Sequence, residues 1–198
     1  MTPTSAAHPP ARHRARAAPD RSQLARDLPL LGGPCGWAEL SPCGTYRYLL
    51  GRRVGAAQRG LLLVCLNPST ADASLDDPTI RRAVGFTRRE GCGVLEVVNL
   101  FAFRATDPAA LRTARDPVGP ANDRLIAAAV GRAAVVVVAW GVVHRQLAWR
   151  AGEVAAAIRQ QLPVLGHRGP FCLGTTANGS PRHPLYVRSD RPLERWLP

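Results

Sequence analysis

The chain has 198 residues, 46% of them hydrophobic, which is enough for one domain with a buried core, and no apolar run approaches the roughly 18–20 residues of a membrane helix. Its formal net charge is +12 and all 26 basic residues are arginine. The missing lysine excludes Schiff-base chemistry on a lysine and matches the coding of a GC-rich genome, whereas the surplus over 14 acids favours polyanionic partners, nucleic acid first.

Residues 1–26 carry Arg12, Arg14, Arg16, Arg21 and Arg26 among Ala, Pro and His with no apolar period. They read as a disordered basic arm, preceding a single α/β domain over 27–198. The N-terminus has no apolar h-region, so the expected location is the cytoplasm. The first strand signal is "YRYLLGRR" from Tyr46, a first or edge strand. "GLLLVCLN" (60–67) is a continuous apolar run, as expected of a strand covered on both faces. Asp76 or Asp77 then caps a helix with Pro78 at its first position. Ile80, Ala83, Val84 and Thr87 share one helical face, Arg81, Arg82, Arg88 and Arg89 the other, and Gly91 ends it. "GVLEVVNLFAF" (93–103) is the next strand. A turn-rich loop leads to a helix over about 120–130, stopped by Gly131. "AAVVVVAWG" (133–141) is the most strand-like run. His144 to Leu162 reads as a long amphipathic helix, "FCLG" as a short final strand, and a Gly/Ser/Pro loop precedes "RHPLYV".

Alternating strands and helices predict a three-layer α/β/α sandwich around a central, mainly parallel sheet. Ligands of such sheets sit at the carboxyl ends of the strands. That rule gathers Asn67-Pro68-Ser69-Thr70, Asn99 and Trp140-Gly141 on one rim. Asn67 ends an apolar run with an amide able to hold a water or a ring edge, Pro68 stiffens the turn, and Ser69 and Thr70 add hydroxyls; a plain turn into a helix explains the same residues. Asn99 sits within an apolar strand, where an unpartnered amide costs about 1–3 kcal/mol, so backbone or ligand must satisfy it. His183 precedes Pro184 and is held extended. Asp72 is the acid left over once capping is assigned, and so the best carboxylate for a base. His144 and His167 stand alone. The five cysteines, Cys35, Cys43, Cys65, Cys92 and Cys172, form no C-x-x-C pair; this argues against a disulfide framework, a zinc ribbon or an iron–sulfur cluster, and Cys65 and Cys172 read as buried thiols. There is no Walker loop and no G-x-S-x-G elbow. No metal or cofactor is expected.

The order of these pieces resembles the uracil-DNA glycosylase superfamily: a strand ending in N-P-S, then "GVLEVVN", then "VVVVAWG", then a late His-Pro loop. The chain is still more similar, over about residues 45–198, to an uncharacterised bacterial domain family sharing "LNPSTAD", "DDPTIRR", "VVNLFAFRATDP" and "PRHPLY". The glycosylase resemblance implies a monofunctional, DNA-repair-type N-glycosylase that uses water to release a flipped, uracil-like or damaged base. It implies that Asn67, with Pro68 and Ser69, places the water; that Asn99 reads the base; that His183, beside Pro184, stabilises the departing anion; and that Phe101 or Tyr186 stacks on the ring. Asp72 is the alternative to Asn67 for governing the water. Arg81, Arg82, Arg104 and Arg182 are the expected phosphate contacts to single- or double-stranded DNA, with no obligate protein partner. Cys65-Leu66 and Leu185 replace residues usual in the glycosylase motifs, and a non-catalytic nucleic-acid- or nucleotide-binding relative is the alternative.

Overall fold

The structure, a computed structural model, describes residues 36–167 and 169–197. The basic arm expected over 1–26, the domain boundary placed after it, and Cys35 lie outside them. Seven strands form one sheet in the order β1-β2-β4-β3-β5-β6-β7: β1 Gly36–Leu40, β2 Arg47–Arg53, β3 Gly60–Cys65, β4 Val94–Asn99, β5 Val135–Val138, β6 Phe171–Cys172 and β7 Glu194–Arg195. The centre, β4-β3-β5-β6, is parallel. β1 and β2 on one side and β7 on the other join antiparallel, so the sheet is mixed around a parallel centre. "YRYLLGRR" is therefore an inner antiparallel strand, with β1 outside it as the edge. β1 escapes the sequence reading because "GWAEL" is half exposed and carries no alternation; two-residue β7 leaves no periodic signal.

Three helices follow the expected periods: α1 Pro78–Arg89, α2 Asn122–Arg132 and α3 Ala148–Val164. Asp77 caps α1 by accepting from the Ile80 N–H at 2.9 Å, and Gly91 beyond its end has φ +66°, a conformation glycine adopts at no steric cost. The stretch expected to open the third helix at His144 is instead a 3₁₀ turn over Arg145–Leu147, capped by the His144 ring. Two apolar clusters divide along the pleat. Leu61, Leu63, Leu95, Val97, Val135 and Val137 meet Ile80 and Ala83 of α1. Leu62, Val64, Val98, Val136 and Val138 meet Ile126 and Ala129 of α2 and Val154, Ile158 and Leu162 of α3. Helices thus cover both faces, which is why the central strands read as unbroken apolar runs. Cys65 and Cys172 are buried free thiols, as is Cys92. Among the described residues no helix is long and apolar enough to cross a membrane.

One irregularity matters for the site. Leu40 pairs with Arg47 but Glu39 pairs with Leu49, so Tyr48 is an extra residue in β2. Tyr48 and Leu49 both pack on the α2–α3 side of the sheet, whereas Leu50 packs on the α1 side. A β-bulge of this kind re-aims side chains. Here it turns Arg47 to the α1 side, where its guanidinium donates to the Ala71 carbonyl at 2.5 Å.

Candidate functional site

The chain leaves β3 for β4 on one side and returns over β3 to β5 on the other. The connections from β3 and β4 therefore diverge, and a crevice opens beyond their carboxyl ends, the usual ligand position in such sheets. Cys65 and Asn99 are register partners at those two ends. A cavity of about 210 Å³ lies there, lined by Arg47, Cys65, Asn67, Asp77, Asn99 and His183, with Ser69, Thr79, Thr106 and apolar Ile80, Val97 and Leu185 also in the wall. The volume is below the roughly 300–1,000 Å³ of drug-sized sites, so it suits one planar ring or a small group rather than a whole nucleotide.

Each wall is fixed by the local fold. Asn67 donates to the Ala105 carbonyl at 2.7 Å and to the Pro68 carbonyl at 3.1 Å, tying the loop after β4 to the loop after β3. Asn99 is 2% exposed and its Nδ2 has no acceptor among the described residues. Asp77 and Thr79 enter from the first turn of α1. His183 arrives from far along the chain and is held by two elements. The Gly141 N–H, just past β5, donates to the Pro181 carbonyl at 2.8 Å, and a side chain at Gly141 would stand 3.4 Å from the His183 Cβ. From α1, Arg82 donates to the carbonyls of Pro184 and Val187, and Arg89 to that of Ser189.

The electrostatics follow from burial. Arg47 is 2% exposed and has no carboxylate in ion-pair contact among the described residues. Burial lowers its pKa to about 10, opposed by the charge of Asp77, so it stays cationic at neutral pH. Burial also lowers the pKa of His183, favouring neutral imidazole. Its Nδ1 accepts from the Leu185 N–H at 3.4 Å, which leaves the ring proton on Nε2 as a donor. Burial pushes the Cys65 thiol up to about 12, so it is a neutral wall and not a nucleophile.

Asn67, Ser69, Asn99 and His183 therefore meet at one cavity. Pro68 is buried beside it and Thr70 is exposed; neither lines it, nor does Pro184. Asp72 is not brought there either. Its Oδ1 accepts from the Ser74 N–H, Ser74 hydroxyl and Leu75 N–H, closing an Asx-type turn, and the carboxylate at the cavity is Asp77. Phe101 is fully buried among core residues and meets Trp149 edge-to-face at 6.4 Å. Tyr186 is 80% exposed, with its ring 5.8 Å from that of His183. Of the four expected phosphate contacts, Arg81 and Arg182 are exposed and donate to the carbonyls of Asp76 and Thr175, Arg104 is half-buried, and Arg82 donates to the two carbonyls named above. The sequence assigns Asp77 only a capping role and gives no signal for Arg47, which would face away from α1 in a regular strand. A larger hollow of about 610 Å³ lies at the opposite end of the sheet, near Arg59, Val135 and Phe171. Its Arg89 is paired with Glu90 at 2.9 Å and with the Ser189 carbonyl, and Arg59 and His167 line it as well.

The family described as "Protein of unknown function (DUF1643)" matches residues 47–185. The chain belongs to this family. The match begins at Arg47 and runs past His183, so the DUF1643 region contains every side chain named above as lining the cavity. No curated protein and no solved structure matches the chain. The DUF1643 assignment carries no activity and no link to the glycosylases.

Proposed function

We propose that this DUF1643 protein is a hydrolase of the N-glycosylase type, releasing an oxo-substituted base from DNA. What carries the reading is the meeting of Asn67, Asn99, His183 and Asp77, drawn from three separate segments, at one ring-sized cavity with the buried Asn99 amide uncommitted. The uracil-DNA glycosylase-like motif order supports it, as do helices on both faces of a parallel core, the arrangement that a three-layer glycosylase-like sandwich requires.

In this reading the Asn99 Nδ2 donates to a ring oxygen of an extruded base, and the His183 Nε2–H to another. The glycosidic C–N bond breaks with its electron pair left on the base nitrogen. Water adds its oxygen to the cationic sugar carbon and gives its proton to the Asp77 carboxylate; the base anion is later protonated from solvent. Asn67 acts as an anchor between loops, because its amide N–H groups are already spent on carbonyls. Exposed Arg81 and Arg182 supply phosphate contacts that offset the few kcal/mol cost of extrusion.

The test is base release from single- and double-stranded oligonucleotides carrying uracil, hypoxanthine, xanthine or a mismatch, at enzyme excess. Release that is lost in Asp77→Asn and Asn99→Ala supports hydrolysis. Pure, folded protein that releases none of these bases ends it. Salt-sensitive oligonucleotide binding without release would select a non-catalytic nucleic-acid-binding relative, a reading favoured by the commitment of the Asn67 amide to Ala105.

A further inference from the structure

The geometry points to Arg47 as the residue that takes up negative charge on a bound oxo-heterocycle, a ring in which an N–H stands beside a carbonyl. This deepens the function proposed above and rests on the same cavity.

Three buried arginines allow a comparison. Arg52 is 3% exposed and uses every guanidinium nitrogen: its Nε meets Asp76 at 2.7 Å, and its terminal nitrogens meet the carbonyls of Gly51, Asp72 and Leu75. Arg150, also 3% exposed, donates to the Leu100 carbonyl at 2.9 Å and pairs with Asp123 and Glu153. Both hold pieces of the fold together. Arg47 is as deeply buried, yet its Nε has no acceptor among the described residues and it forms no ion pair there. A permanent cation buried without a paired anion is costly, and a core needing only volume would use an apolar residue. A bulge in β2 is what brings it to the cavity, beside a second orphan donor, the Asn99 amide.

Two orphan donors, one charged, call for a ligand rich in acceptors, and an oxyanion above all. Asp77 narrows the class. Its carboxylate shares the cavity and would repel a phosphate, which is an anion before it binds, but not a ring that is neutral until its bond breaks. A lactam-type ring offers the acceptor oxygens, and its conjugate base is the leaving group of the proposed cleavage. A preorganised cation at that oxygen acts on the transition state because the charge appears only as the bond breaks. Removing such a donor lowers rates by about 10²–10³-fold.

The experiment compares equilibrium binding of free uracil, the more acidic 5-fluorouracil and inorganic phosphate to the full chain, wild type, Arg47→Met and Arg47→Lys, each checked for folding by circular dichroism. The wild type is expected to bind 5-fluorouracil more tightly than uracil. Arg47→Met is expected to lose that gap, and Arg47→Lys, which keeps the charge at shorter reach, to retain part of it. Should Arg47→Met not fold, the narrowed gap in Arg47→Lys carries the test. Absence of a gap in the wild type, an undiminished gap in both variants, or binding of phosphate in place of the rings overturns the inference. Oligonucleotide cleavage separates the two proposals. Ring binding with the gap but no base release overturns hydrolysis alone. Base release at unchanged rate in both Arg47 variants overturns the role of Arg47 alone.

Discussion

Arg47 and Asn99 line the same cavity from adjacent strands, β2 and β4, and each leaves a buried N–H without an acceptor among the described residues. An orphan of this kind costs about 1–3 kcal/mol. Asn99→Ala should therefore leave the melting temperature unchanged or raised while weakening ring binding at least tenfold. A drop in thermal stability with binding intact would show that the amide serves the fold instead.

Arg47 and Arg52 should differ in how much each contributes to stability. Arg52→Met strips donors from Asp76 and three backbone carbonyls and should cost about 3 kcal/mol or more. Arg47→Met loses one carbonyl partner and a poorly compensated charge, and should cost no more than about 1 kcal/mol. Urea denaturation of the two variants side by side measures the contrast.

The carboxylates make a second pair. Asp77→Asn should abolish base release while keeping most of the helix cap, because the Asn side chain still accepts from the Ile80 N–H. Asp72→Asn should preserve release, since its oxygen serves only a turn at Ser74 and Leu75. Single-turnover rates for the two variants decide which acid governs the water.

Burial depresses the pKa of His183 below its usual 6.5. As pH falls below that value the unfolded chain takes up a proton that the folded chain refuses, so stability falls until the folded value is passed. His183→Gln should flatten the melting-temperature profile in this mildly acid window and leave it unaltered above pH 7. An identical slope in the variant would place the ring in solvent.

Among the described cysteines, Cys43 alone is exposed, and hydrogen bonds with Ser41 first and Thr45 second lower its pKa to about 7. At neutral pH it should alkylate well before Cys65, Cys92 and Cys172, whose thiols burial raises. Timed iodoacetamide labelling with peptide mapping reads the order, and Ser41→Ala should slow it at pH 7.

The rim of the sheet could be read from sequence because apolar runs ending in Asn67 and Asn99 are a one-dimensional record of strands buried on both faces. His183 could be found because a histidine before proline after a glycine-rich loop is uncommon enough to notice. The mixed edges could not be read: β1 and β7 are short, exposed and without period. Sequence favours Asp72 over Asp77 because capping accounts for a carboxylate, although the second oxygen of Asp77 stays free of the cap. Phe101 looked available only because strand alternation does not say which side is covered, and α2 and α3 cover it. Arg47 was hidden by a register shift, which is a property of two strands and cannot be seen in one.

That extra residue separates two demands on a single short segment. Tyr48 fills space against Ala102 and Leu125, while its neighbour Arg47 supplies charge on the other side. Shortening the segment by deleting Tyr48 would restore an even ladder and still leave Arg47 opposite Leu40. The packing of one flank can thus drift over evolutionary time without disturbing the electrostatic character of the other.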